Sequence, residues 1–164
     1  MESLIKLFSN YIDLSNEEIS FIKENSQTCD YPKNHLLLKE GQTSKAFYFV
    51  LKGCLRLYYS SKNEDKTAYF YTEDMFVSSF LSFTKQTPAK HNIATIEATT
   101  LVVFDTKSVE KFMGFSPKFG ILAKCMMEEE LTTYQQIVSS FVTQNAEERY
   151  EDFVKNHPNL MQRI

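Results

Sequence analysis

Between Lys45 and Asp74 the chain reads KAFYFVLKGCLRLYYSSKNEDKTAYFYTED, and this stretch limits the fold more than any other. Phe47, Phe49 and Leu51 alternate with Tyr48, Val50 and Lys52, and beyond Gly53 the residues Leu55, Leu57 and Tyr59 alternate with Arg56 and Tyr58. A period of two sets one apolar face against a core and leaves the other mixed, the pattern of strands rather than helices. Lys52-Gly53 separates the first two runs. Ser61-Lys-Asn-Glu-Asp65 has turn chemistry before a third run, Thr67 to Tyr71. The texture extends from Cys29 to Asp105, punctuated at Pro32-Lys-Asn, Glu40-Gly41-Gln and Thr72-Glu-Asp, with further strands at Ile93 to Ile96 and Leu101 to Phe104. Short strands at such regular spacing predict an antiparallel roll or barrel.

Helical periods flank this core. Leu4, Ile5, Phe8, Tyr11 and Ile12 recur at helical spacing, and Ser15-Asn-Glu-Glu18 has capping-box form before Ile19, Phe21 and Ile22. After Thr106 the spacing predicts a short helix to Met113, which Gly114 can close, and Ser116-Pro117 then reads as a cap with proline at the first helical position. A long helix follows to about Gln144, carrying Met127, Leu131, Tyr134, Val138 and Phe141 at alternating spacings of four and three. Asn145 with Glu148 predicts one more capped helix, to about Asn156, which His157-Pro158 ends. The predicted class is therefore α+β: an antiparallel β-roll with N-terminal helices and a long C-terminal helix. The expected division is a roll with its N-terminal helices over 1–114, the long helix over 115–145, and a short helix with a connection over 146–164.

With 164 residues, 43% of them hydrophobic, the chain is long enough for one domain with a sizeable core. Its net charge of −3 supplies no basic footprint for nucleic acid. Cys29, Cys54 and Cys125 are far apart in sequence and odd in number, so they read as isolated thiols of a reduced, cytoplasmic setting. No segment approaches the ~20 apolar residues of a membrane span, and MESLIKLFSNYIDL is too polar for a signal peptide. Only three histidines occur, scattered and without an H-x-H pair, which argues against a cupin-like metal enzyme built on a similar roll. Walker, Rossmann and nucleophile-elbow patterns do not occur.

Two helices, a roll, one long helix and then a short one is an order that resembles the Crp/Fnr family of bacterial transcription regulators. The resemblance is carried by LLLKEGQTSKAFYFVLKGCLRLYY with Gly41 and Gly53 at turns, by TEDMFVSSF, and by IATIEATTLVVFD. Ala146-Glu-Glu-Arg-Tyr150 after the long helix is similar to a subgroup found in Bacteroidetes-type bacteria. The resemblance implies an effector-binding roll with a ligand cassette, a long helix forming a homodimer, and DNA contact only through a C-terminal helix-turn-helix. This sequence reaches Ile164 before such a module.

In cyclic-nucleotide-binding relatives the resemblance implies a glutamate for the ribose and an arginine for the phosphate. Aligned on TEDMFVSSF, the glycine and glutamate positions hold Ser78 and Ser79; aligned on IATIEA, the arginine position holds Asn92. Losing a desolvated charge pair costs a few kcal/mol, about 10²-fold or more in affinity, so ordinary cyclic AMP binding is not expected. Lys85, Lys90 and His91, near Ser78, Ser79, Asn92 and Thr95, form a group able to hold a smaller or differently placed anion. The plain alternative is a solvated basic loop. Arg56 either points into the roll as a ligand contact or lies on the surface stacked on a tyrosine. The stripe Met127, Leu131, Tyr134, Val138 and Phe141 is expected to be a dimer seam rather than packing against the chain's own roll. Three readings follow: a regulator's effector-sensing and dimerisation region with an unknown effector and no cofactor, a ligand-free dimerisation scaffold, and, least favoured, the metal enzyme.

Overall fold

In the computed structural model, which describes residues 1–61 and 64–164, the chain divides into two compact units, Met1–Ser116 and Pro117–Ile164. The first opens with α1 (Glu2–Ser9) and α2 (Asn16–Asn25). Ser15 caps α2: its hydroxyl accepts from Glu18 N at 3.2 Å and its own N–H donates to Glu18 Oε2 at 2.8 Å. Glu18 also accepts from Ser116 Oγ at 2.7 Å, so one carboxylate joins both ends of the unit.

Eight strands follow: β1 (Gln27–Tyr31), β2 (Leu36–Leu38), β3 (Ala46–Lys52), β4 (Leu55–Ser61), β5 (Glu64–Tyr71), β6 (Phe76–Val77), β7 (Asn92–Thr95) and β8 (Thr99–Asp105). A six-residue helix, α3 (Phe80–Lys85), interrupts them between β6 and β7, and α4 (Thr106–Phe115) closes the unit. The strands make two four-stranded antiparallel sheets, ordered β1-β8-β3-β6 and β2-β7-β4-β5. Val50, Val77 and Leu101 of the first sheet meet Leu38, Leu55, Leu57, Tyr71 and Ile93 of the second in one buried core, with Tyr31, Leu37, Tyr48, Tyr69 and Met75 packed at its margin.

The expectation of one apolar and one mixed face fails at β3. Phe49 and Val50, adjacent residues on opposite faces, are both fully buried. The cause is a second apolar layer behind the first sheet. Phe47 stacks on Phe104 with ring centroids 5.0 Å apart, Phe49 meets Phe76 at 5.1 Å, and Phe76 meets Phe8 of α1 at 6.2 Å. Phe104 in turn meets Phe112 of α4 at 5.7 Å. Each such pair contributes about 0.5–1.5 kcal/mol beyond area burial, which explains why the helices adhere here.

Several boundaries differ from the sequence reading: β7 covers Asn92–Thr95 where Ile93 to Ile96 was expected, and β8 covers Thr99–Asp105 where Leu101 to Phe104 was expected. The helix from Thr106 does not close at Gly114 but runs on to Phe115, whose ring stacks on Phe21 at 3.8 Å, and this packing outweighs the weak helix propensity of glycine. The strand expected from Thr67 starts at Glu64, so Ser61, Glu64 and Asp65 of the expected turn belong to paired strands, while Lys62 and Asn63 lie outside the described residues.

The second unit holds α5 (Pro117–Thr143), α6 (Ala146–Asn156) and a 3-10 turn, Leu160–Gln162, that the sequence did not signal. The capping box at Asn145 forms: its Oδ1 accepts from Glu147 N at 2.9 Å and Glu148 N at 3.0 Å, and Glu148 Oε2 accepts from Asn145 N at 2.8 Å. No helix among the described residues is long and apolar enough to cross a membrane.

Candidate functional site

The segment from Phe76 to Thr95 runs β6, Ser78-Ser79, α3, a loop and β7. Gln86 ends α3 in the left-handed region, φ 52°, and its side-chain amide donates to Phe83 O at 2.7 Å. Ser82, buried, accepts from Ser44 N at 2.8 Å and donates to Thr87 O. The loop is then stapled to the turn before β3: Gly41 N donates to Ala89 O and Ala89 N to Gln42 O, each at 2.8 Å, and Thr43 bridges Pro88. The middle of the expected basic loop, Thr87 to Ala89, is therefore held by Ser82 and by the turn at Gly41 to Thr43.

Within this frame the expected site residues separate. Asn92 is buried; its Oδ1 accepts from Glu40 N at 2.9 Å and its Nδ2 donates to Ser60 Oγ at 3.4 Å. Thr95 is buried too; its hydroxyl donates to Pro32 O at 2.7 Å and accepts from His35 N at 2.8 Å. By strand alternation Thr95 shares the inward face of Ile93, and Asn92 lies on the other face, so the two do not form one group. Arg56 alternates with the inward-facing Leu55 and Leu57. It forms an ion pair with Asp65 at 2.8 Å and lies over the Tyr58 ring at 4.0 Å.

Ser79 is buried at the start of α3, where its carbonyl accepts from Phe83 N at 2.8 Å. Ser78 Oγ and His91 Nε2 are buried atoms without a hydrogen-bond partner among the described residues. His91 lies edge-on to Tyr59, with centroids 5.8 Å apart, and burial pushes its pKa below the usual imidazole value, favouring the neutral ring. Lys85 and Lys90 are exposed. Four candidates thus keep uncommitted polar atoms: Ser78, Lys85, Lys90 and His91.

Sequence reasoning missed the inner margin of the roll. Tyr48 is pushed up to about 12 by burial and by the neighbouring Tyr31 and Cys29, and Tyr31 is raised for similar reasons. These phenols stay neutral at physiological pH and offer donors among apolar neighbours. The available signal was the period of two, since Tyr48 alternates with the phenylalanines on the helix side. No group of three or more His, Cys, Asp and Glu among the described residues is placed to hold a metal ion.

On the second unit, Met127, Leu131, Tyr134, Val138 and Phe141 are all exposed, 46% to 65%, along α5. Val142 beside them is 80% exposed.

The comparisons with known proteins assign this antiparallel roll, with its short helix between β6 and β7, to a family. The cyclic nucleotide-binding domain model matches residues 28–114, and the chain belongs to that family. The fold is shared with Crp/Fnr-type regulators. The catabolite activator protein of Thermus thermophilus aligns with a TM-score of 0.67 at 14% identity, covering 83% of this chain and 63% of that one. A cyclic nucleotide-binding domain from Methylobacillus flagellatus gives 0.73 at 17% identity, over 86% and 82%. The sensor domain of the transcriptional regulator DNR from Pseudomonas aeruginosa gives 0.62 at 16%, over 84% and 90%. The chain thus spans less than two thirds of the Thermus protein. No curated protein matches the sequence.

Proposed function

We propose that this chain is the effector-sensing and dimerisation region of a cytoplasmic Crp/Fnr-type transcription regulator, without catalytic activity, whose roll does not take cyclic AMP through the usual charge pair. The observation that carries the reading is Asn92. At the position where the resemblance expects a phosphate-binding arginine stands a buried amide already bonded to Glu40 and Ser60, and Ser79 replaces the expected acid. A phosphodiester would meet no guanidinium fork there. The uncommitted Ser78, Lys85, Lys90 and His91 are the residues for an effector at this cassette.

The apolar stripe on α5 supports a homodimer, because its period is that of a coiled-coil seam and its side chains are exposed in the single chain. Effector binding then shifts the long helices between two states, provided the effector binds one state more tightly, and repositions a DNA-binding module attached beyond Ile164. Calorimetric titration with cyclic AMP, cyclic GMP and small anions tests the ligand reading; saturable micromolar binding of either nucleotide overturns it. Sedimentation tests the seam, and a monomer at high concentration overturns that part. The ligand-free scaffold is the second reading, favoured by the internal bonds that occupy Asn92, Thr95 and Arg56.

A further inference from the structure

The corner between α5 and α6 contains a residue that neither unit of the proposed mechanism uses. Only Gln144 and Asn145 join the two helices, and side chains hold this join at several points. The Asn145–Glu148 capping box fixes the start of α6, and Gln144 Nε2 donates to Asp152 Oδ2 at 2.6 Å, one turn further along. Arg149 does two things together. Its Nη1 donates to Gln144 O at 2.7 Å, satisfying a carbonyl just past the end of α5, and its guanidinium carbon lies 4.6 Å over the Phe141 ring. A cation beside the last carbonyls of a helix is also favoured by the helix dipole.

Phe141 is the last residue of the exposed stripe and is itself 65% exposed. An aromatic ring has two faces. Arg149 covers one, and the ring's place on the stripe presents it to whatever packs there. We infer that Arg149 is a positioning residue making this corner a rigid elbow, through which packing of a second copy against Phe141 is passed to the direction of α6. Coverage of Phe141 by the second copy removes water from the guanidinium–ring contact and strengthens it, since such contacts gain on desolvation. Seam formation and elbow geometry are thereby coupled. This rests on the dimer reading above.

The test uses the full chain. Dimer dissociation constants are measured by sedimentation equilibrium for the wild type, R149Q, F141L and the double variant; glutamine keeps a donor for Gln144 O but neither the charge nor the stacking plane. R149Q is expected to weaken the dimer about five- to tenfold. In the F141L background it is expected to change nothing. Equal effects of R149Q in both backgrounds overturn the coupling. The elbow is read from spin labels at Gln136 and Lys155 in a C29S/C125S background, diluted with unlabelled chain. A single narrow distance in the parent that broadens in R149A supports it, and a distance unchanged by R149A overturns it. A wild-type monomer throughout removes the seam reading and the coupling together, whereas a dimer without coupling removes only this inference. Unfolding midpoints within a few degrees of the parent show that each variant folds.

Discussion

Replacing Asn92 by alanine separates a scaffold role from a ligand role. Its Oδ1 is the acceptor for Glu40 N at 2.9 Å, its Nδ2 reaches Ser60 Oγ at 3.4 Å, and the residue is 6% exposed. N92A leaves the Glu40 N–H without its partner and the turn before β3 without its tie to β7. Glu40 is itself exposed and the bond only partly buried, so water replaces the lost acceptor and the loss costs about 1 kcal/mol, to which the longer bond to Ser60 adds little. Taking about 1 kcal/mol and an unfolding entropy near 2.1 cal/mol/K per residue, the midpoint should fall by about 3 °C for a chain of this length. N92D keeps the acceptor for Glu40 but places a carboxylate at a buried position, so at neutral pH its midpoint should fall at least as far as that of N92A. Differential scanning calorimetry on all three chains, with near-ultraviolet dichroism as a check on tyrosine packing, measures this. An unchanged midpoint for N92A would refute the scaffold argument and return Asn92 to the list of free ligand contacts.

Other substitutions probe the remaining parts. Leu131 is 59% exposed, so burying the rest in a dimer is worth about 1 kcal/mol per copy. L131A should weaken the dimer about 30-fold by sedimentation while leaving the unfolding midpoint of the dilute monomer unchanged. Gly53 has φ 104°, and an added Cβ would lie 2.7 Å from the backbone of Thr99. G53A should therefore destabilise the roll by about 3 kcal/mol or more, read as a large drop in the denaturant midpoint. Burial lowers the folded-state pKa of His91 below its unfolded value, so the unfolded chain takes up the proton first as pH falls. Stability linked to His91 is full above the unfolded value near 6.5 and is lost as pH drops through the folded-state pKa; the fall in unfolding midpoint between pH 7.5 and 5.5 should be smaller in H91Q than in the wild type.

What the sequence disclosed was local. The capping boxes at Ser15 and Asn145 were legible because donor and acceptor lie three residues apart, and both form. The strands were legible because their period of two is imposed by burial on at least one side. The second buried face of β3 was not, because the layer covering it is assembled from Phe8, Phe76, Phe104 and Phe112 across distant segments. The same limit explains the cassette. Asn92 and Thr95 look like free polar residues in sequence, and their partners stand 52 and 63 positions away in Glu40 and Pro32. Arg56 found Asp65 across a hairpin. α3, six residues long, is too short to carry a helical period that the sequence could show.

The double burial of β3 also makes the strand intolerant of a change in phase. One residue inserted between Ala46 and Phe47 would carry Phe47 and Phe49 into the space between the sheets and send Tyr48 and Val50 to the helices. Neither compartment fits the other's contents, since one is shaped for stacked rings and the other for Val50 beside Leu101. A two-residue insertion would restore the alternation. An odd change of length in this strand is thus costly unless an irregularity absorbs the extra residue, as the register shift between Val50 and Lys52 does against β8.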